Sequence, residues 1–165
     1  MTAGERLVDP EVRVQHARDL AWSALNRREH TEAELQRMLE RKRCGPEEVA
    51  TVLTELTEGG WVDDAAYAQR FAEDRRNLDG WGSERIERRL RALGIERHHI
   101  EAAVESQPAE DERGAALALL RRRFPVAPED ARDRNRALGV LVRKGYELEL
   151  SLDVLRAYCS VGEFD

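Results

Sequence analysis

The residues whose types could do chemistry are few. The chain has four histidines and two cysteines in 165 residues. His16, His30, His98 and His99 fall in no zinc-site spacing and form no HExxH pair. His98 and His99 are adjacent, and successive helical residues point about 100° apart. They are therefore expected on different faces, as solvated side chains. Gly80-Trp81-Gly82 lacks the rest of a dinucleotide fingerprint, and no Walker-type phosphate loop occurs. Asp63-Asp64 has the type of a Mg²⁺-binding or acid–base pair, but favourable charge at a helix start accounts for it better. Cys44 and Cys159 make no disulfide framework and suit a reducing compartment. The expectation is no catalytic residue, no metal site and no cofactor, hence a protein that is not an enzyme.

What remains is arginine. Carboxylates outnumber bases, 33 to 27, the net charge is −6, and lysine occurs only at Lys42 and Lys144. A dedicated duplex-DNA binder is usually basic, because its affinity comes from neutralising phosphates. Here the bases are gathered locally. Arg27-Arg28, Arg75-Arg76 and 121–123 end three candidate helices. Arg37, Arg41, Lys42 and Arg43, then Arg85, Arg88, Arg89 and Arg91, then Arg134, Arg136, Arg143 and Lys144, lie on or just after three others. Arg37 and Arg41, like Arg85 and Arg89, are i, i+4 pairs sharing a face. Glu34, Glu40, Glu84 and Glu87 interleave with them, and a surface of both signs matches a charged protein partner better than bare DNA. Trp22 and Trp61 are expected in core packing, with Trp61 stapling one repeat to the next. Trp81 sits in a loop, where stacking on a base or partner and packing inward are both open.

The elements that must carry these residues are all helical. Apolar residues recur at helical spacing from His16 onward, and no stretch alternates like a strand. Thr31 and Glu34 form a capping box, Pro46 suits a first helical position, and Ser83 can cap a helix carrying Ile86 and Leu90. The helices fall into three groups of three with an internal register. Leu35, Ile86 and Ala137 stand 51 positions apart; so do Leu39, Leu90 and Leu141, and so do Arg43, Gly94 and Gly145 at the helix stops. The expected organisation is a flexible tail over 1–15 and three-helix repeats over 16–62, 63–107 and 108–165. Three small units with little core each predict an elongated, curved array, an all-α scaffold for binding. The longest apolar run, 115–120, is far short of the roughly 20 residues of a membrane span. No signal-peptide stretch opens the chain, so a cytoplasmic monomer without membrane contact is expected.

These residues also carry a family resemblance. The stretch Ala24-Leu25-Asn26-Arg27-Arg28 through Thr31-Glu32-Ala33-Glu34-Leu35 resembles the opening signature of the RecX family. Gly60-Trp61-Val62-Asp63-Asp64 with Tyr67-Ala68 is similar to its "GYLDD..YA" turn. Gly82, Arg85-Ile86, Leu90 and Gly94-Ile95 match "G..RI...L...GI", and Arg143-Lys144-Gly145-Tyr146 resembles the third-unit "R(R/K)GF". The resemblance implies a non-enzymatic regulator that binds the filament of RecA recombinase on single-stranded DNA. It would modulate, mostly inhibit, ATP hydrolysis, strand exchange and co-protease activity in DNA repair and the SOS response. Contact candidates for the filament or DNA are then Arg27, Arg28, Arg37, Arg41, Lys42, Arg75, Arg76, Arg85, Arg88, Arg89, Arg143 and Lys144. Trp61, Asp64, Tyr67, Gly82, Ile86, Leu90 and Gly94 would be structural, within or between repeats. A stand-alone nucleic-acid-binding helical module is the alternative reading, with the negative charge against it.

Overall fold

The computed structural model describes residues 8–161. Among them are nine helices and no strand: α1 (Pro10–Leu25), α2 (Glu32–Arg41), α3 (Pro46–Glu58), α4 (Asp64–Asp79), α5 (Ser83–Ala92), α6 (Arg97–Glu105), α7 (Ala109–Arg123), α8 (Ala131–Lys144) and α9 (Leu148–Val161). The chain separates into two compact units. One holds the residues up to Tyr67 together with Leu93–Ile95; the other holds Ala68–Ala92 and the residues from Glu96 onward.

Local chemistry explains most helix ends. Thr31 Oγ1 accepts from the Glu34 amide at 3.2 Å while the Glu34 carboxylate accepts from the Thr31 amide at 3.0 Å, the reciprocal capping box. Burial works against the charged Glu34 carboxyl, but the Arg28 ion pair and the Thr31 amide outweigh it and hold its pKa below the ordinary range. Pro46 occupies the start of α3. Two boundaries differ from expectation. The stretch expected as a tail contains the first turns of α1, because Asp9 caps the Glu11 amide at 3.0 Å and Pro10 fits the first helical position. Residues 1–7 of that tail lie outside the described residues. Helix α8 begins at Ala131, ahead of the expected Arg134, because the Asp130 side chain caps the Asp133 amide at 2.7 Å.

In the first unit α1, α2 and α3 enclose a core of Ala17, Ala21 and Ala24 against Leu35, Leu39, Val49, Val52, Leu53, Leu56 and Val62. Alanines on α1 let its backbone approach α3 closely. In the second unit α7, α8 and α9 enclose Ala116, Leu119, Leu120 and Phe124 with Ala137, Leu141, Tyr146, Val154 and Leu155. The 51-residue columns are core columns: Leu35, Ile86 and Ala137, and likewise Leu39, Leu90 and Leu141, are all 0% exposed.

One joint occurs twice, once inside each unit. In the first, the start of α2 meets the turn at 93–95: Thr31 Oγ1 donates to Leu93 O at 2.8 Å, and the Glu32 amide donates to Asp64 Oδ1 at 3.0 Å. In the second, the start of α5 meets the turn at 144–146. The Gly82 amide donates to Lys144 O at 2.9 Å and the Glu84 amide to Gly145 O at 3.0 Å. The Ser83 amide donates to Glu112 Oε1 at 2.8 Å. Residues 31 and 93 become 82 and 144 on adding the same 51 positions. Ser83 is therefore the first residue of α5 rather than its capping side chain; the cap is a carboxylate from α7. Thr31 is fully buried in its joint. Thr31→Val keeps the shape and removes both hydroxyl bonds, so a loss of about 2 kcal/mol is expected in a urea melt. Thr31→Ser should recover most of it.

Candidate interaction surface

The arginines divide into engaged and free. Arg13 pairs with Glu48 at 2.9 Å, Arg18 with Glu55 at 2.9 Å and Arg28 with Glu34 at 3.2 Å. Arg75 is bound to Asp79 and lies 5.7 Å from the Phe71 ring centre and 5.8 Å from that of Trp81. Arg76 is half-buried and donates to Ala103 O at 3.3 Å and Val104 O at 2.9 Å, closing the last turn of α6. Burial lowers the Arg76 pKa, and Glu112 works in the other direction. Arg85 stacks on Trp81, its guanidinium carbon 4.1 Å from the ring centre, and reaches Arg143 O at 3.4 Å. Lys144 donates to Asp79 O at 2.9 Å. Arg75, Arg76, Arg85 and Lys144 are thus held by their own unit, which leaves them less reach for a partner than their charge suggested.

Arg37, Arg41, Lys42 and Arg43 around the end of α2 are exposed and make no ion pair with any described residue. Arg88 and Arg89 on α5 and Arg143 on α8 are likewise exposed and unpaired with any described carboxylate. Of these, Arg37 and Arg88 are 51 positions apart and so occupy equivalent positions in the repeat. Arg27 is exposed and donates to Ser23 Oγ at 3.2 Å.

Trp22 packs against the first core as expected, whereas Trp61 does not. Trp61 is 64% exposed rather than core. Gly59-Gly60 ends α3, and the indole lies edge-on against Trp22, ring centres 4.9 Å apart. Trp81 is half-buried, edge-on to Phe71 at 6.1 Å beneath the Arg85 guanidinium. The Tyr146 phenol donates to Gly80 O at 3.0 Å, and burial, with Glu112 adding to it, pushes its pKa up to about 12. His98 and His99 also come together, with ring centres 3.9 Å apart and Glu96 beside them. They sit in the first turn of α6, where rotation about χ1 overrides the angular separation of their backbones.

Comparisons with known proteins agree with one another. A family model described as "RecX, first three-helix domain" matches residues 17–56, and "RecX, second three-helix domain" matches residues 63–104. "Regulatory protein RecX" of Mycolicibacterium smegmatis is 33% identical over 159 residues, 92% of this chain and 84% of that protein. The protein of the same name from Mycobacterium avium is 35% identical over 149 residues, 88% of this chain and 86% of its own length. The chain belongs to the RecX family. The crystal structure of RecX from Lactobacillus salivarius has a TM-score of 0.80 at 16% identity, covering 92% of this chain and 99% of that one. A second crystal structure of regulatory protein RecX gives 0.73 at 21% identity, covering 93% and 80%. At those identities the structural likeness concerns the fold alone, an all-helical repeat array.

The RecX motif residues take defined places. Asp64 accepts from the start of α2, and Gly82 lies in the α5 joint. Ile86 and Leu90 are core. Gly94 has φ 79 beside Ala33. Tyr67 is half-buried in the second turn of α4. Sequence reasoning missed Glu112 as a cap and Arg43 as a left-handed residue; Gly94 and Gly145 in register with Arg43 carried the signal for the second.

Proposed function

We propose that this RecX-family chain binds the RecA filament on single-stranded DNA and restrains its ATP hydrolysis, strand exchange and co-protease activity, as a cytoplasmic, cofactor-free monomer acting in DNA repair and the SOS response. The observation that supports it is the free arginine. A chain with 33 carboxylates has enough acid to pair every base, yet Arg37, Arg41, Lys42, Arg88, Arg89 and Arg143 stay unpaired among the described residues, and one pair of them, Arg37 and Arg88, occupies equivalent repeat positions. Bases left free beside abundant carboxylate are available to a partner's carboxylates or phosphates. Binding one filament state more tightly than another shifts the filament toward that state and slows turnover with no chemistry by the regulator.

The test adds purified protein to recombinase, single-stranded DNA and ATP. Hydrolysis is expected to fall saturably. Arg88→Ala combined with Arg89→Ala, both exposed, should raise the half-inhibitory concentration about tenfold, the cost of two exposed ion pairs at about 0.7 kcal/mol each. Helicity by circular dichroism should not change. Unchanged hydrolysis at saturating wild-type protein overturns the proposal. Tight, steeply salt-dependent binding to duplex DNA without recombinase would put a nucleic-acid-binding module in its place.

A further inference from the structure

The turn that closes α2 is the odd member of a series. Three turns stand 51 residues apart with their central residue in the left-handed region: Arg43 at φ 62, Gly94 at φ 79 and Gly145 at φ 96. At Arg43 and Gly145 the hydrogen bonds match as well. Arg43 N donates to Glu40 O and Cys44 N to Leu39 O; Gly145 N donates to Val142 O and Tyr146 N to Leu141 O. The two glycine turns are docked. Leu93 O and Lys144 O accept from the starts of α2 and α5, and a Cβ on either glycine would collide with the docked helix. The Arg43 turn accepts no such bond from another helix among the described residues.

Arg43 is the one non-glycine residue at positive φ among the described residues. An L side chain is strained there, and the two docked turns have glycine. Bases at the end of a helix offset its dipole, which accounts for Arg41 and Lys42 without any partner. It does not account for an arginine at the strained position, where glycine would close the helix better. Strain kept at an exposed turn points to a use for the side chain. Arg41, Lys42 and Arg43 are all exposed, consecutive and unpaired among the described residues.

We infer that Arg41, Lys42 and Arg43 form a docking point for an acidic segment of a partner protein, with Arg43 held in a strained conformation for that contact. Protein rather than nucleic acid follows from the surrounding charge. Exposed Glu40 and Glu47 flank the turn in sequence and the whole chain carries −6. A long polyanion meets repulsion from such a surface, whereas a short acidic segment can be placed between the carboxylates. The inference rests on the reading of the chain as a protein-binding regulator and names the partner chemistry at one point of it.

The probe is a fluorescein-labelled oligoglutamate peptide, followed by anisotropy on the full chain, with oligothymidylate as the nucleic-acid arm. Arg43→Gly removes the charge and relieves the strain, so the melting temperature should rise while peptide affinity falls about tenfold. Arg43→Lys keeps the charge and should bind within about twofold of wild type. A purely structural Arg43 would move stability alone. Equal peptide affinity in Arg43→Gly and wild type overturns the inference; so does capture of oligothymidylate in place of the peptide. The filament assay is run on the same proteins. Failure of wild type to slow hydrolysis while peptide binding depends on Arg43 would remove the filament reading and leave the docking point.

Discussion

Gly145→Ala is expected to cost about 3 kcal/mol in a urea melt. Two costs combine. At φ 96 an L residue is strained by about 1–2 kcal/mol. The added carbon would fall on the Arg85 Cβ and 2.6 Å from the Arg85 amide nitrogen, so α5 has to back away from the turn. Overpacking of that kind costs about 1–3 kcal/mol, and the stiffer unfolded chain returns about 0.5 kcal/mol. Gly82→Ala separates the two costs. Its Cβ would stand 2.5 Å from Gly145 C, Gly145 O and Tyr146 N, all backbone, but its own φ is not positive. It should therefore show the collision without the strain, and fall short of Gly145→Ala by about 1 kcal/mol. A Gly145→Ala chain within 0.5 kcal/mol of wild type, a margin typical of surface changes, would mean that the joint between α5 and the 144–146 turn does not hold in solution.

Leu90→Ala is expected to cost about 3 kcal/mol. Leu90 is 0% exposed on α5, so its truncation removes buried apolar surface and leaves a cavity inside the unit. Leu78→Ala serves as the control: Leu78 is 74% exposed on α4, and its truncation should stay within about 0.5 kcal/mol. Similar losses at the two sites would refute the assignment of the 51-residue columns to the core.

Helices, stops and columns were legible because each depends on neighbours within a few positions. The Thr31–Glu34 capping box, Pro46, and the apolar columns at 35/86/137 and 39/90/141 all sit where local pattern puts them. Asp9-Pro10 and Asp130 were equally local signals of helix starts, which polar composition obscured. Trp61 was misplaced because indole size suggests core. The glycine pair before it instead ends α3 and leaves the ring beside Trp22 at the surface.

The candidate surface was legible as charge and not as geometry. The Arg-rich segments stand out in composition, but whether an arginine is free depends on which carboxylate or carbonyl folding brings to it. Arg76 meets the end of α6 across 27 and 28 positions of chain, and Arg85 meets Arg143 O across 58. By itself the sequence determined the all-helical class, the 51-residue period, the RecX motifs and the gathering of bases on an acidic chain. Only tertiary structure decided that Arg75, Arg76, Arg85 and Lys144 are engaged while Arg37, Arg41, Lys42, Arg88 and Arg89 are free. It alone showed that the turns at Gly94 and Gly145 are docked while the one at Arg43 is open. The physical reason is range: capping and periodicity act over one or two helical turns, whereas ion pairing and backbone docking join residues brought together only by packing.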